Sequence, residues 1–380
     1  GMLMPALASA QKDDFNPVTT GVLSLSIAPD ARGASMGDIG AATDPDACSQ
    51  YWNPSKYAFA YSNAAVSLSY TPWLRKLVND MFLAYAAGYW KIGHSDNQAV
   101  SASLRYFSMG EFTTGSEVYP GTSINPYEMA FDIGYSRKLS ESYSMGVVMR
   151  YIYADLGYDQ SGTDVSTGNT GASAFAADIS GYLTKYPIIG RNECQWSFGW
   201  NISNIGSKIN FSNGNVPAFI PTNMKVGTTF TYPLADYHNL AVSLDLNKML
   251  VPVKPRRNDF DDDDSYQQKL EDWKNTSSIA GIFKSFGGDN GSLLKQITWS
   301  LGAEYNYNQQ FFVRAGYYCE NKMLGGRSCF AVGAGFALNV IRLDASYMMA
   351  AQQTSPLDQT LRFTLTFDMD GLKDLFGKRR

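Results

Sequence analysis

The sequence predicts an all-β protein, a transmembrane antiparallel β-barrel of about fourteen strands. Three observations carry that reading. Apolar residues alternate with small or polar ones in segment after segment: Val100, Ala102, Leu104 and Tyr106 interleave with Ser101, Ser103 and Arg105. Met145, Val147, Met149 and Tyr151 likewise alternate with Ser144, Gly146, Val148 and Arg150, and Leu361, Phe363, Leu365 and Phe367 with Arg362, Thr364 and Thr366. The segments run ~10–12 residues, enough for a tilted strand to cross a bilayer, where a soluble sandwich uses strands of ~5–6. Finally, connections of short and long length take turns along the chain, as periplasmic turns and external loops do in outer-membrane barrels.

Period-2 runs read from turn to turn place strands near 64–71, 82–92, 98–109, 128–138, 143–155, 173–185 and 194–203. The second half gives 222–232, 239–248, 296–307, 311–319, 328–338, 340–350 and 359–368. The connections after the second, fourth, tenth and twelfth strands are short, at Gly93–Asp96, Leu139–Glu141, Asn308-Gln309 and Asn339. Those after odd strands include 110–127, 156–172, 204–221 and 249–295. An even strand number in antiparallel order puts both termini on one side, the periplasm.

Composition permits this. The chain has 380 residues and a net charge of −4, with a mean hydropathy of −0.22. No stretch approaches the ~20 apolar residues of a spanning helix, but polar lumen positions dilute every window in a barrel. Aromatic residues make up 14% of the chain, which suits interfacial girdles. The near-neutral charge gives no sign of nucleic acid as a partner. Residues 1–10 end in Ala8-Ser9-Ala10, a small-x-small cleavage site behind a short apolar run, and read as a signal-peptide remnant. A disordered apolar leader is the alternative. Export combined with a barrel implies the outer membrane of a Gram-negative cell.

Four cysteines fit an oxidising compartment. Cys319 and Cys329 flank one short loop and are a candidate pair, with Cys48 and Cys194 as the second; free buried thiols remain the other reading. On the lumen face, Arg105, Arg150, Lys225, Arg314 and Arg342 oppose Asp132, Asp178, Asp245, Glu304 and Asp344. Near-balanced charge in a confined interior favours pairing over an open ion-selective channel. A barrel of this size has room for a plug. Residues 11–63 precede the first strand and are the natural candidate.

Within that plug, Ala31-Arg32 is followed by Met36-Gly37 and Gly40, and later by Trp52-Asn53-Pro54. The glycines permit a tight, close-packed turn, and Trp-Asn-Pro reads as an apolar anchor before a turn breaker. As a pattern, the segment resembles the N-terminal hatch of FadL-type outer-membrane barrels, and the fuller string resembles the PorV family of Bacteroidota type IX secretion. The resemblance rests most specifically on the hatch. It implies a protein without turnover chemistry or cofactor. It also implies three sets of partners: a large translocon barrel of the SprA or Sov kind, secreted cargo carrying a C-terminal β-sandwich signal domain, and an attachment complex containing a PorU-like sortase. Outer-membrane lipid surrounds it.

Two external loops carry unusual apolar content. Trp73, Leu74, Leu77 and Val78 form a stripe between the first two strands, and Val216, Phe219 and Ile220 lie in a run stiffened by Pro217 and Pro221. Such surface marks either a contact site for translocon or cargo, or a folded-over lid. The 249–295 connection is too long for a bare loop. Ser265 to Lys274 looks helical, and Asp261–Asp264 lacks the spaced oxygens of a calcium loop, leaving solvated charge or a helix cap. Residues 369–380 carry Leu372, Leu375 and Phe376 at helical spacing, which predicts a short periplasmic helix, or else a frayed tail.

A hydrolase reading finds no support. The histidines are His94 and His238, both in predicted periplasmic turns; no Gly-x-Ser-x-Gly elbow and no Cys/His zinc spacing occurs. No catalytic residue or metal ligand is assigned. The rival function is FadL-like uptake of hydrophobic small molecules, for which Gly157 and Gly181 would mark a wall kink, or merely close packing.

Overall fold

The computed structural model describes residues 16–72, 80–93, 96–116, 119–157, 171–211, 217–287, 292–351 and 360–371. The first strands are β1 (Ala64–Pro72), β2 (Met81–Ile92), β3 (Gln98–Met109), β4 (Phe112–Ser116), β5 (Tyr119–Ile124) and β6 (Tyr127–Lys138). Then come β7 (Tyr143–Asp155), β8 (Gly171–Lys185), β9 (Ile188–Ile189), β10 (Asn192–Glu193), β11 (Gln195–Gly206) and β12 (Asn223–Ala235). The last are β13 (His238–Met249), β14 (Ile297–Tyr307), β15 (Phe311–Cys319), β16 (Ser328–Leu338), β17 (Ile341–Ala350) and β18 (Thr360–Asp368).

Fourteen of these close into a single antiparallel barrel in the order β1-β18-β17-β16-β15-β14-β13-β12-β11-β8-β7-β6-β3-β2. They are the fourteen strands the alternation predicts. The seam joins β1 to β18, with Val66 opposite Phe367, so the barrel presents no free edge. The remaining strands pair as two small hairpins, β4–β5 in the connection after β3 and β9–β10 in the one after β8. Both fall in connections that the sequence predicts as loops.

The period of two sorts side chains between two solvents. On β1, Val66 and Leu68 face outward while Ser67, Ser69 and Thr71 are buried against the contents of the lumen. On β7, Met149 is 75% exposed between the buried Val148 and Arg150. An apolar outside and a polar inside is the inverse of a water-soluble sheet, and hydrocarbon is the solvent that makes it stable. At the long-loop end, ring contacts run Tyr70–Phe82–Tyr106–Tyr127–Tyr153 across β1, β2, β3, β6 and β7, with centroids 5.6–6.0 Å apart. This is an arc of the aromatic girdle expected at a membrane interface.

Inside lie α1 (Ala31–Ser35) and α2 (Ser49–Trp52), followed by a 3₁₀ segment Pro54–Phe59. The 249–295 connection carries α3 (Asp263–Asn275) and α4 (Ser278–Lys284). The acidic run caps α3: Asp262 accepts from the Ser265 amide at 2.7 Å, and Asp263 and Asp264 occupy the first turn. Met369–Gly371 make a helical turn after β18. Leu372, Leu375 and Phe376 lie outside the described residues.

The cysteine pairing fails. All four cysteines are free. Cys319 stands opposite Ser328 in the β15–β16 ladder, whereas Cys329 stands opposite Tyr318. Successive side chains alternate faces, so Cys319 and Cys329 are on opposite sides of the wall. Cys48 instead contacts the Ser67 hydroxyl at 3.0 Å, and the Cys194 thiol lies 3.8 Å from the Asn192 carbonyl.

Candidate functional site

The lumen holds the chemistry, and its centre is the hatch. Asp30 caps α1, accepting from the Gly33 amide at 2.9 Å and from the Trp52 indole at 2.6 Å. Trp52 is thereby pinned flat between two turns of the hatch. A Cβ on Gly33 would fall 2.3 Å from the indole, and one on Gly40 2.2 Å, so the motif glycines exist to admit this ring. Gly37 has a φ of +82°, and a Cβ on it would stand 3.0 Å from the Tyr317 backbone, so this is a left-handed turn pressed on the wall. The wall answers with Gly316, where a Cβ would meet the Met36 carbonyl carbon at 2.0 Å. Ala31 and Met36 are buried beside them.

Arg32 ties the hatch to the barrel. Its Nε and Nη2 donate to Glu304 of β14 at 3.1 and 3.0 Å, and its Nη1 donates to Asp46 at 2.9 Å. Glu304 also accepts from Arg314 (2.5 Å), which reaches Asp344 (2.8 Å), which in turn takes Arg342 (2.8 Å). The result is a chain of alternating charges running from the hatch along β14, β15 and β17. On the other flank, the Gly40 and Ala41 amides donate to Asp245 at 2.9 and 3.0 Å. Asn53 donates to the Ala41 and Gly181 carbonyls, and Pro54 opens the 3₁₀ turn. Lys56 is wholly buried and donates to the Gly40 carbonyl and Thr43 hydroxyl. Burial pushes its pKa down to about 8, while burial and the nearby Asp46 carboxylate push Asp30 up to about 6.

Of the expected lumen cations, Arg150, Lys225, Arg314 and Arg342 pair with carboxylates, whereas Arg105 donates to the Ser24 and Ile27 carbonyls. Arg150 binds Asp132 at 2.7 Å and Asp178 at 2.9 Å and also meets Asn204, and Lys225 lies 4.0 Å from Asp245. Asn204 belongs to a β11 bulge between Ile202 and Ile205, and its amide donates to Asp178 at 2.7 Å. A register shift of the wall therefore falls there, with another on β12 between Pro233 and Ala235, whereas the missing side chain of Gly181 makes room for Trp200 and the Tyr143 hydroxyl.

Above the hatch, toward the long loops, lies a chamber of about 660 Å³. Leu25, Ile27, Tyr51 and Trp52 form part of its floor, and Arg105, Phe107, Met348 and Arg362 part of its wall. Sequence reading missed Asp30, Asp46 and Lys56 as hatch anchors, and Tyr85 and Arg362 as chamber residues. Arg362 was legible as inward-facing from its alternation with Leu361 and Phe363; nothing local marks the others.

The loop residues divide. Trp73, Leu74, Leu77, Val78 and Val216 lie outside the described residues. Phe219 and Ile220 do not form an exposed patch: they are 3% and 2% exposed. Phe219 packs edge-on against Trp273 of α3 at 5.5 Å under the Lys208 ammonium, and Ile220 joins Val22, Leu25, Ile152 and Ile209. Lid packing is what the structure gives this run, because α3 and the strap of residues 17–28 cover it.

A plugged, closed barrel with an apolar outer face defines an integral outer-membrane protein of the FadL-type fold. The sequence matches the family of the type IX secretion system protein PorV over residues 9–256, and the chain belongs to that family. Among curated proteins no match is found. Among solved structures, the toluene transporter TodX of Pseudomonas putida aligns at 9% identity over 89% of this chain and 95% of that one, with a TM-score of 0.50. The Ralstonia pickettii toluene transporter TbuX aligns at 12% identity over 91% and 99%, with a TM-score of 0.48. A FadL homologue of Pseudomonas aeruginosa aligns at 11% over 93% and 99%, with a TM-score of 0.43. At such identities the TodX likeness is one of fold.

Proposed function

We propose that this protein serves type IX secretion as a non-enzymatic carrier. It binds exported cargo through a C-terminal β-sandwich signal domain at a large translocon barrel of the SprA or Sov kind. It then passes the cargo to a surface attachment complex with a PorU-like sortase. Both termini face the periplasm of a Bacteroidota cell, and the long loops face outward. Family membership is the observation that carries the reading. The ion-paired hatch supports it, since a lumen filled by buried side chains is poorly suited to conduct solutes. Contact with cargo or translocon falls to the outer loops, with Trp73, Leu74, Leu77 and Val78 as the first candidates.

The test is extraction from native membranes in mild detergent, followed by mass spectrometry of what co-purifies. A giant barrel together with exported proteins sharing one C-terminal domain is the expected result. Recovery of this chain alone with a bound apolar molecule would replace the reading with FadL-like uptake, the function that the chamber above the hatch favours.

A further inference from the structure

The 249–295 connection holds two helices whose exposed faces differ in kind. On α3 the charged Asp263, Asp264, Glu271 and Asp272 are exposed, while Leu270 and Trp273 are half-buried. On α4 the order is reversed. Gly281 faces the lid, where a Cβ would stand 3.0 Å from Phe219 and 3.1 Å from Pro252. Ile279 and Phe283 lie two residues to either side, so at ~100° per residue they project from the opposite face. They are 65% and 73% exposed.

The apolar surface continues with Phe286 and with the 3₁₀ turn Leu293–Gln296, where Leu293 and Leu294 are also exposed. That turn runs directly into β14, whose Trp299 and Leu301 face the hydrocarbon. Trp299 opens a second arc of the aromatic girdle, with Tyr317 of β15 at 5.6 Å and Phe330 of β16 a further 4.7 Å on. The patch therefore begins where the lipid-facing band of the wall ends. Charge is sorted the same way. From Thr276 to Gln296 the chain carries Lys284 and Lys295 against one acid, Asp289. From Asp259 to Asp272 it carries seven acids against Lys269. Lys284 donates to the Thr276 hydroxyl at 2.9 Å and keeps further N–H donors for an anion.

We propose that α4 and the 3₁₀ turn form an interfacial anchor in the outer leaflet. Ile279, Phe283, Leu293 and Leu294 embed among its acyl chains, Lys284 and Lys295 meet its phosphate groups, and the acidic α3 stays in water. An apolar face flanked by lysines is the pattern of a helix lying in a membrane interface. Lipid is the occupant because the patch is continuous with wall already solvated by lipid. The anchor also steadies the lid, since α4 is fastened inward: the Ser285 carbonyl accepts from Lys248 of β13 at 3.1 Å. This inference is independent of the cargo reading, because its assay involves neither cargo nor translocon.

The experiment uses the full chain with Cys48, Cys194, Cys319 and Cys329 replaced by serine and one cysteine introduced. The sites are Phe283→Cys, Leu294→Cys and, as a water-facing reference on α3, Gln268→Cys. Each is labelled with an environment-sensitive fluorophore and reconstituted into vesicles of phosphatidylcholine and phosphatidylglycerol. Labels at 283 and 294 should emit to the blue of the reference and be quenched by lipid spin-labelled high on the acyl chain. Their quenching by aqueous acrylamide should be ~10-fold weaker than at the reference. Omitting phosphatidylglycerol, or combining Lys284→Gln with Lys295→Gln, should raise acrylamide access severalfold. Acrylamide access at 283 and 294 equal to the reference, in vesicles that hold no other protein, would overturn the proposal and assign the patch to a protein partner. Should one of the two labelled variants not fold, the other decides alone.

Discussion

Glu304 is where the hatch is most exposed to a single change. Its carboxylate takes two guanidiniums at once, Arg32 from the hatch and Arg314 from the wall. Glu304→Gln preserves shape and leaves both cations short of one charge. Breaking a buried pair typically costs ~3–5 kcal/mol. Here the lower end applies, because Arg32 keeps Asp46 and Arg314 keeps Asp344. Arg32 is the member that links two bodies, so the loss should fall on hatch docking and not on the barrel ladder. A loss of ~3 kcal/mol multiplies the undocked population by ~10². Cys48 reports that population: it is a free thiol, buried in the hatch against Ser67. In a variant with Cys194, Cys319 and Cys329 replaced by serine, maleimide labelling of Cys48 should accelerate ~100-fold on Glu304→Gln. Heat-modifiability on gels should persist, since the strand pairings are untouched. Labelling within twofold of the parent, with the barrel intact, would refute the idea that this pair holds the hatch.

Other consequences can be checked alongside. Gly40→Ala would set a methyl on the Trp52 ring, and overpacking of this kind costs ~1–3 kcal/mol or more; hydrogen exchange in residues 31–59 should speed up accordingly. The two shifted hatch groups give a pH dependence with a definite shape. Asp30, with its pKa raised to about 6, withdraws stability as pH climbs from the ordinary carboxylate range through 6, and Lys56, lowered to about 8, restores it as pH climbs beyond 8. Protease resistance of the hatch should therefore be lowest between pH 6 and 8, and Lys56→Met should abolish the alkaline rise. In the outer lid, Phe219→Ala should cost ~3–5 kcal/mol of local packing and loosen α3 without dissolving the barrel, seen as selective exchange in 263–275. Trp73→Ser with Leu74→Ser should reduce cargo secretion while sparing the folded barrel, and normal secretion by that variant would remove this loop from the contact surface.

What the sequence makes legible follows from which forces are local. A wall between hydrocarbon and a filled lumen imposes a two-residue period on every strand, so β7 and β18 can be read from Met149/Arg150 and Phe363/Arg362 alone. Loop lengths then orient the strands without further information. The hatch is legible as a glycine-rich, tryptophan-bearing segment, yet the reason for its glycines is not. Gly33 and Gly40 make sense only once Trp52 is seen lying between them, and Asp30 only as the acceptor of its indole. The apolar run at Phe219 misleads because its cover is remote in sequence, Trp273 of α3 and the strap near Val22. The cysteines mislead for a different reason. Spacing across a hairpin does not give the parity of the two positions, and one residue of register decides whether two thiols share a face.

The lumen charges fall into two groups that respond to different partners. Arg32, Arg150, Arg314 and Arg342 each reach a carboxylate, and they fix hatch to wall or wall to wall. Arg105 reaches the strap carbonyls of Ser24 and Ile27, and Arg362 also holds the strap through the Ala28 carbonyl. Disturbing the first group should undock the hatch, whereas disturbing Arg105 should free the strap. A double-mutant cycle separates the two. Glu304→Gln and Arg105→Gln contact different parts of the plug, so their effects on Cys48 labelling should add to within ~0.5 kcal/mol. A larger coupling would mean that strap and hatch move as one body.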